Sequence, residues 1–345
     1  MPPYAARVRI FDGHNDALSR LAGAGPDAPA GFLAGDGAGH LDLPRAAAGG
    51  LAGGCFAVFT CAPPDAAYAD GSYLAAVPHA PAWREAMIQI GLLRRLERGS
   101  EGRLRIARGV ADLDGPGLAA VLHLEGAEPI GPRLEELELL HAAGMRSLGL
   151  TWSRPNAFAT GVPFAFPGSP DQGPGLTDAG RALVAACREL RILVDVAHLN
   201  ARGFWDVHAL QDGGPPLVAS HAGAHSLCAS PRNLTDDQLR AVAESGGVVG
   251  INFHTGFLRA DGADDPVTPR ALIVAHAAHV AEVAGIDAVA LGSDFDGATM
   301  PEELGDAAGL PGLLDAFRAA GFGEDDVAKV AHGNWRRVLE ATWTA

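Results

Sequence analysis

Eight apolar runs punctuate the chain at Val8–Asp12, Gly54–Thr60, Ala119–Leu124, Met145–Thr151, Ile192–Ala197, Leu217–Ser220, Gly247–Phe253 and Ala288–Ser293. Most are continuously apolar rather than alternating, the pattern of parallel strands covered on both faces. Helical patterns separate most of them. Thr177-Asp178 opens a helix running to about Leu190. Thr235-Asp236-Asp237-Gln238 reads as a capping box with Gly246 as the terminating glycine. Thr268-Pro269 starts another helix, which Gly285 ends. Alternating strand and helix in this number predicts an α/β fold, a (β/α)8 TIM barrel. The structural rival, a doubly wound sheet, usually carries a glycine-rich turn after its first strand, and Asp12-Gly13-His14-Asn15-Asp16 is not one.

Two stretches exceed ordinary loop length. Residues of about 61–117 contain a predicted helix, roughly Pro81 to Gly99, with Trp83, Met87, Ile90 and Leu93 on one stripe. Residues of about 154–176 are rich in Gly and Pro and carry Phe158, Phe164 and Phe166. Long loops at the C-terminal end of a barrel commonly wall a substrate site. Without a repeat or a dividing linker, residues 1–345 read as one barrel domain.

Composition narrows the partners. The chain has 345 residues, 48% hydrophobic and 19% charged, which is globular, and a formal net charge of −15 that disfavours nucleic acid and anionic membrane surfaces. No apolar run approaches the ~20 residues that span a bilayer, and the first ten residues lack the apolar core of a signal peptide. The expected location is cytoplasmic. Cys55, Cys61, Cys187 and Cys228 form no Cys-x-x-Cys pair, so a thiolate metal site is not expected; Cys55, Cys187 and Cys228 read as buried free thiols.

Five strand ends carry metal-ligand chemistry. His14 and Asp16, two apart at the end of the first strand, point to one side of an extended backbone. Glu125 follows the third strand, His198 the fifth, His221 the sixth and Asp294 the eighth. An isolated histidine there more often satisfies a local hydrogen bond, and an isolated aspartate often caps the next helix. In a barrel, however, all five ends converge on one face. Three histidines and three carboxylates exceed what one metal needs. They suggest two cations sharing a carboxylate, about 3.5–4 Å apart, with one group left for proton transfer.

In these residues the sequence resembles the membrane dipeptidase (renal-type dipeptidase) family of amidohydrolase-like metallopeptidases, over nearly the whole chain. The matching pieces are Asp12-Gly13-His14-Asn15-Asp16, His123-Leu124-Glu125-Gly126, Asp195-Val196-Ala197-His198, Ser220-His221, Pro231-Arg232-Asn233-Leu234-Thr235-Asp236, Gly247–Phe253, Gly292-Ser293-Asp294-Phe295-Asp296-Gly297 and Gly333–Val338. The resemblance implies two zinc ions per chain and hydrolysis of dipeptides, L-D as well as L-L, through a metal-bridging hydroxide. His14 and Asp16 would bind the first zinc, His198 and His221 the second, and Glu125 both. Asp294 would be the general acid/base, and Arg232 would hold the substrate carboxylate, a role that suits a guanidinium fork. A homodimer is also implied. The chain departs from the family after Leu150-Thr151, where relatives often have a histidine and this chain has Trp152, a ring with one N–H donor that carries no proton. His254, where relatives often have tyrosine, is placed to line the pocket. The nearest alternative is a related binuclear amidohydrolase acting on another small amide, a lactone or a phosphotriester; a catalytically silent binding protein on the same fold is a third.

Overall fold

Each of the eight apolar runs becomes a parallel strand, and the strands close on themselves. The computed structural model describes residues 8–61 and 75–344. Its strands are β1 (Ile10–Asn15), β2 (Leu51–Phe59), β3 (Leu104–Ile106), β4 (Leu118–Glu125), β5 (Met145–Gly149), β6 (Leu193–Asp195), β7 (Val218–Ala222), β8 (Val248–Ile251) and β9 (Val289–Leu291). Pairing runs β2-β1-β9-β8-β7-β6-β5-β4, and β2 pairs directly with β4, which completes the barrel. The short β3 was not predicted. It takes the edge of β4 at Leu118–Ala120, the edge that β5 occupies from Leu122 onward, so it extends the sheet without entering the barrel.

The helices follow their local signals closely. Thr177 caps the helix Asp178–Glu189 by accepting from the Gly180 N–H. Thr235 and Gln238 form the reciprocal capping box of Asp236–Glu244, and Gly246 follows in the left-handed region (φ 74°). The helix predicted from Pro269 begins two residues later, at Ala271, because Thr268 turns back through its hydroxyl onto the Asp265 carbonyl. The helix predicted from Pro81 spans His79–Gly99 and buries Ala82, Ala86, Ile90, Leu93 and Leu96; Trp83 and Met87 are only partly covered. Residues 62–74 of the long first loop lie outside the described residues. Cys55, Cys187 and Cys228 are buried free thiols, as expected.

Two strand junctions are thin. β1 meets β9 through the register pair Asp12–Leu291 and, past the end of β9, the Asn15–Phe295 bridge; β6 meets β7 through Asp195–Val218. At both, a buried aspartate supplements the short ladder. Asp12 accepts from the Ser293 N–H (2.6 Å) and Oγ (2.8 Å), and Asp195 accepts from the Ser220 N–H (2.8 Å) and Oγ (2.5 Å). Next to the second junction β7 bulges inward, and its register against β8 shifts between Ala219 and Ala222. The Ser220 carbonyl enters the barrel interior, where only glycines can face it. A Cβ at Gly13, Gly250 or Gly292 would lie 2.3, 1.9 or 2.0 Å from that oxygen.

The N-terminal end of the barrel is stoppered. Trp335, on the C-terminal helix Asn334–Thr344, donates its Nε1–H to the Leu291 carbonyl (2.9 Å) and packs on Phe11 at 5.5 Å between ring centroids. Val121, Leu193, Val218 and Val248 complete this apolar layer. His276, in the helix Ala271–Ala284, braces the segment after β7. Its Nδ1 accepts from the Ala224 N–H (3.0 Å), so its Nε2 carries the proton and donates to the Leu258 carbonyl (3.0 Å).

Two outcomes follow. Gly250→Ala is expected to lower unfolding stability by at least about 2 kcal/mol through the clash with Ser220, whereas Gly91→Ala, in open space within a helix, should raise it by about 0.5–1 kcal/mol; urea unfolding of both compares them. Burial lowers the His276 imidazole from 6.5 to about 4. The unfolded chain therefore binds the proton more readily, and the stability this group contributes is present above pH 6.5 and lost as pH falls from 6.5 towards 4, by up to about 3 kcal/mol. In metal-free protein, His276→Gln should show a shallower loss across that window than the unsubstituted chain.

Candidate active site

At the C-terminal mouth of the barrel the strand ends bring together the residues singled out in the sequence. His14 is next to last in β1 and fully buried; Asp16 directly follows the strand. Glu125 ends β4, His221 lies on the inward bulge of β7, and His198 and Asp294 follow β6 and β9 in left-handed backbone conformations (φ 66° and 64°) that turn the chain off the barrel. Non-glycine residues rarely hold that conformation outside sites where the surroundings impose it. One Glu125 oxygen, Oε1, lies 3.0 Å from His198 Nε2, 3.5 Å from His221 Nε2 and 3.6 Å from His14 Nε2. His14 Nε2 is 3.3 Å from Asp16 Oδ2, and His198 and His221 face each other Nε2 to Nε2 at 3.0 Å. Two ligand clusters overlap at His14: His14, Glu125 and His221, and His14, Asp16 and Asp294, each with its donor atoms within 4.8 Å of one another.

The electrostatics of this cluster call for added positive charge. Burial raises the Glu125 carboxyl to about 8, and it also raises Asp16. Burial alone would lower His14, but the Glu125, Asp16 and Asp294 carboxylates outweigh it and hold the imidazole up at about 10. Burial drives His198 and His221 well below 6.5, so both rings stay neutral. Both ring nitrogens of His14 are buried without a hydrogen-bond partner. A buried imidazole whose nitrogens lack hydrogen-bond partners, beside carboxylates that hold protons for want of another cation, could hold a divalent metal. Neutral imidazoles and carboxylates suit zinc and also accept other first-row ions.

Outer contacts aim these groups. Ser153 Oγ meets His198 Nδ1 at 2.8 Å, Ser220 Oγ meets His221 Nδ1 at 2.7 Å, and Asn252 Nδ2 donates to Asp294 Oδ2 at 2.9 Å. Sequence reasoning did not single out Ser153 or Asn252, nor the positioning part of Ser220; nothing but spatial proximity marks the first two.

A cavity of about 640 Å³ opens over the cluster. Asp16, Glu125, Asp264, Asp294 and Asp296 contribute carboxylates to its wall, and no lysine or arginine among the described residues does. Trp152 and His254 both line it. Trp152 is wedged between Phe59 (5.1 Å) and Phe164 (5.2 Å), 5.9 Å from the His198 ring. Behind it, the buried Arg154 guanidinium lies 5.0 Å from the Trp152 ring and pairs with Glu128 at 2.7 Å. His254 packs edge-on against Phe257 (4.5 Å) and lies 3.8 Å from Asp264. Arg232 is buried next to the cavity rather than on its wall. Its Nη2 donates to the His221 carbonyl (3.1 Å) and its Nε has no partner. The structural pairings open to it in the sequence are taken: Asp236 pairs with His279 and Asp237 with Arg240.

Residues 4–345 match the family model of the membrane dipeptidases, peptidase family M19. A metallo peptidase from Rhodobacter sphaeroides, solved with a phosphinate mimic of the dipeptide L-Ala-D-Ala, is 45% identical with a TM-score of 0.92, covering 97% of this chain and 99% of that one. The dipeptidase AC, a metallo peptidase of family M19, is 45% identical with a TM-score of 0.93 over 98% of this chain and 99% of its own. A Klebsiella pneumoniae relative, described as an uncharacterized protein in the pqqA 5′ region, is 48% identical over 261 residues, 74% of this chain and 95% of its own length.

If the mouth cluster is a cation site, stripping with chelator should lower the thermal midpoint, and readdition of zinc should restore it. At a hundredfold excess over Kd the gain is about 2.7 kcal/mol, read by calorimetry. A midpoint indifferent to chelator and zinc would count against the site.

Proposed function

This chain belongs to the membrane dipeptidase family, and from that membership we propose how its own residues carry out dipeptide hydrolysis. It is a dipeptide-hydrolysing enzyme of the metallopeptidase class. The observation that carries the detailed reading is the single Glu125 oxygen within 3.0–3.6 Å of three imidazole nitrogens. An oxygen so placed is suited to serve two cations at once. His14 and Asp16 would hold one zinc, His198 and His221 the other, and Glu125 both. Bound there, the two zinc ions would polarise the scissile carbonyl and acidify the attacking water.

The remaining steps fall to protein groups. Asp294 is anchored through Oδ2 by Asn252. Its other oxygen is left to take a proton from the attacking water and deliver it to the departing amine. The acidic cavity wall favours the protonated amino end of a dipeptide. The unpartnered Arg232 Nε–H sits behind the wall as the positive group for the carboxylate end. Trp152 and His254 wall the side-chain space, Trp152 where relatives often have a histidine. The mimic bound by the Rhodobacter sphaeroides protein supports including L-D dipeptides such as L-Ala-D-Ala in the substrate range.

Asp294→Asn is expected to lower kcat about 10²–10⁴-fold while leaving zinc content unchanged. Arg232→Met should raise KM for dipeptides far more than for their C-terminal amides. Turnover of L-Ala-L-Ala and L-Ala-D-Ala, set against a lactone and a phosphotriester, tests the substrate class directly; dipeptides left untouched while the esters react would reverse the assignment.

A further inference from the structure

The thin junction between β6 and β7 holds a chain of hydrogen bonds that ends on a proposed metal ligand. Asp195 Oδ1 accepts from the backbone N–H groups of Ala197 (3.0 Å) and Ser220 (2.8 Å), and Oδ2 accepts the Ser220 hydroxyl proton at 2.5 Å. Of the neighbouring titratable groups, His123 Nε2 is 3.7 Å from Oδ2, beyond hydrogen-bond range. A serine hydroxyl has one proton. The three donors on the two Asp195 oxygens are the setting of an ionised carboxylate, which only accepts; with the hydroxyl proton given to it, Ser220 Oγ meets His221 Nδ1 at 2.7 Å as the acceptor. Nδ1 then carries the ring proton, and the opposite nitrogen, Nε2, presents a bare lone pair towards Glu125 Oε1 and His198 Nε2.

The partner ring is held differently. His198 Nδ1 meets Ser153 Oγ at 2.8 Å, and among the described residues that hydroxyl has no second hydrogen-bond partner. Ser153 is therefore free to donate or to accept. In the metal-free protein His198 can protonate Nε2, which lies 3.0 Å from Glu125 Oε1 and 3.0 Å from His221 Nε2, and its ring proton can move to Nδ1 when a cation arrives.

We propose that Asp195 is a positioning residue: acting through the Ser220 hydroxyl, it fixes the His221 tautomer so that Nε2 is permanently ready for a cation, while His198 switches. The proposal rests on the two-cation reading only for what Nε2 meets. Orienting partners of metal-bound histidines typically carry 10–100-fold in metal affinity.

The test uses Asp195→Asn, Ser220→Ala and the double variant. In Asp195→Asn the carboxamide nitrogen replaces the accepting Oδ2 and donates to Ser220 Oγ. The hydroxyl must then turn its proton onto His221 Nδ1, which forces the ring proton to Nε2. Zinc affinity, read by competition with a chromogenic chelator at pH 8, should fall 10–100-fold for one of the two ions. Ser220→Ala leaves the ring free to choose its tautomer and should lose less than tenfold. The double variant should match Ser220→Ala, so that the second substitution rescues the first, an outcome that simple loss of packing does not produce. Long-range ¹H–¹⁵N spectra of the metal-free unsubstituted protein should place the His221 proton on Nδ1; this arm needs no variant to fold. A proton on Nε2 there, or a double variant weaker than Asp195→Asn, overturns the relay. Tautomers as expected with zinc affinity unchanged in Asp195→Asn would leave the relay standing and remove His221 from the ligand set, which overturns the two-cation reading instead.

Discussion

Asp16, Glu125 and Asp294 bring three carboxylates to one end of a barrel whose other end is closed, and each raises the cost of ionising its neighbours. A protein alone can relieve this only by holding protons, on the carboxylates themselves or on His14. The neighbouring rings cannot help, because burial keeps His198 and His221 neutral. The arrangement is costly as a piece of folding and makes sense as a receptacle for cations. Features around it serve the same end: glycines that admit the β7 bulge, left-handed turns at His198 and Asp294, and two serines and an asparagine that orient His198, His221 and Asp294.

The two thin junctions divide the barrel unequally. β1, β2, β4, β5 and β6 form one continuous portion, and β7, β8 and β9 the other. His14, Asp16, Glu125 and His198 belong to the first; His221 and Asp294 belong to the second. Cations held by both sets would tie the portions together at the mouth, as the Asp12–Ser293 and Asp195–Ser220 contacts tie them deeper in the wall. Metal binding there would link to barrel integrity through the same strands.

Most of this was legible from the sequence because the residues of the cluster stand at or just after the ends of strands whose apolar runs are unmistakable. The barrel strands and the convergence of His14, Asp16, Glu125, His198, His221 and Asp294 followed from position alone. The three-residue β3 was not legible, since Leu104-Arg105-Ile106 is too short to carry a period. The part played by Asp12 and Asp195 was also missed, although both stood in plain view. A carboxylate inside an otherwise apolar strand run is a signal in itself, because its burial requires donors from a neighbouring strand. Arg232 shows the limit of such reading. Its identity suggested a carboxylate anchor, but only the fold shows that it stands behind the cavity wall with one donor already committed to the His221 carbonyl.

The indole of Trp335 seals the far end of the barrel. Among the described residues this floor offers no passage, which leaves the cavity at the mouth as the doorway. The two amino acids released from one dipeptide would then depart through the opening that admitted it.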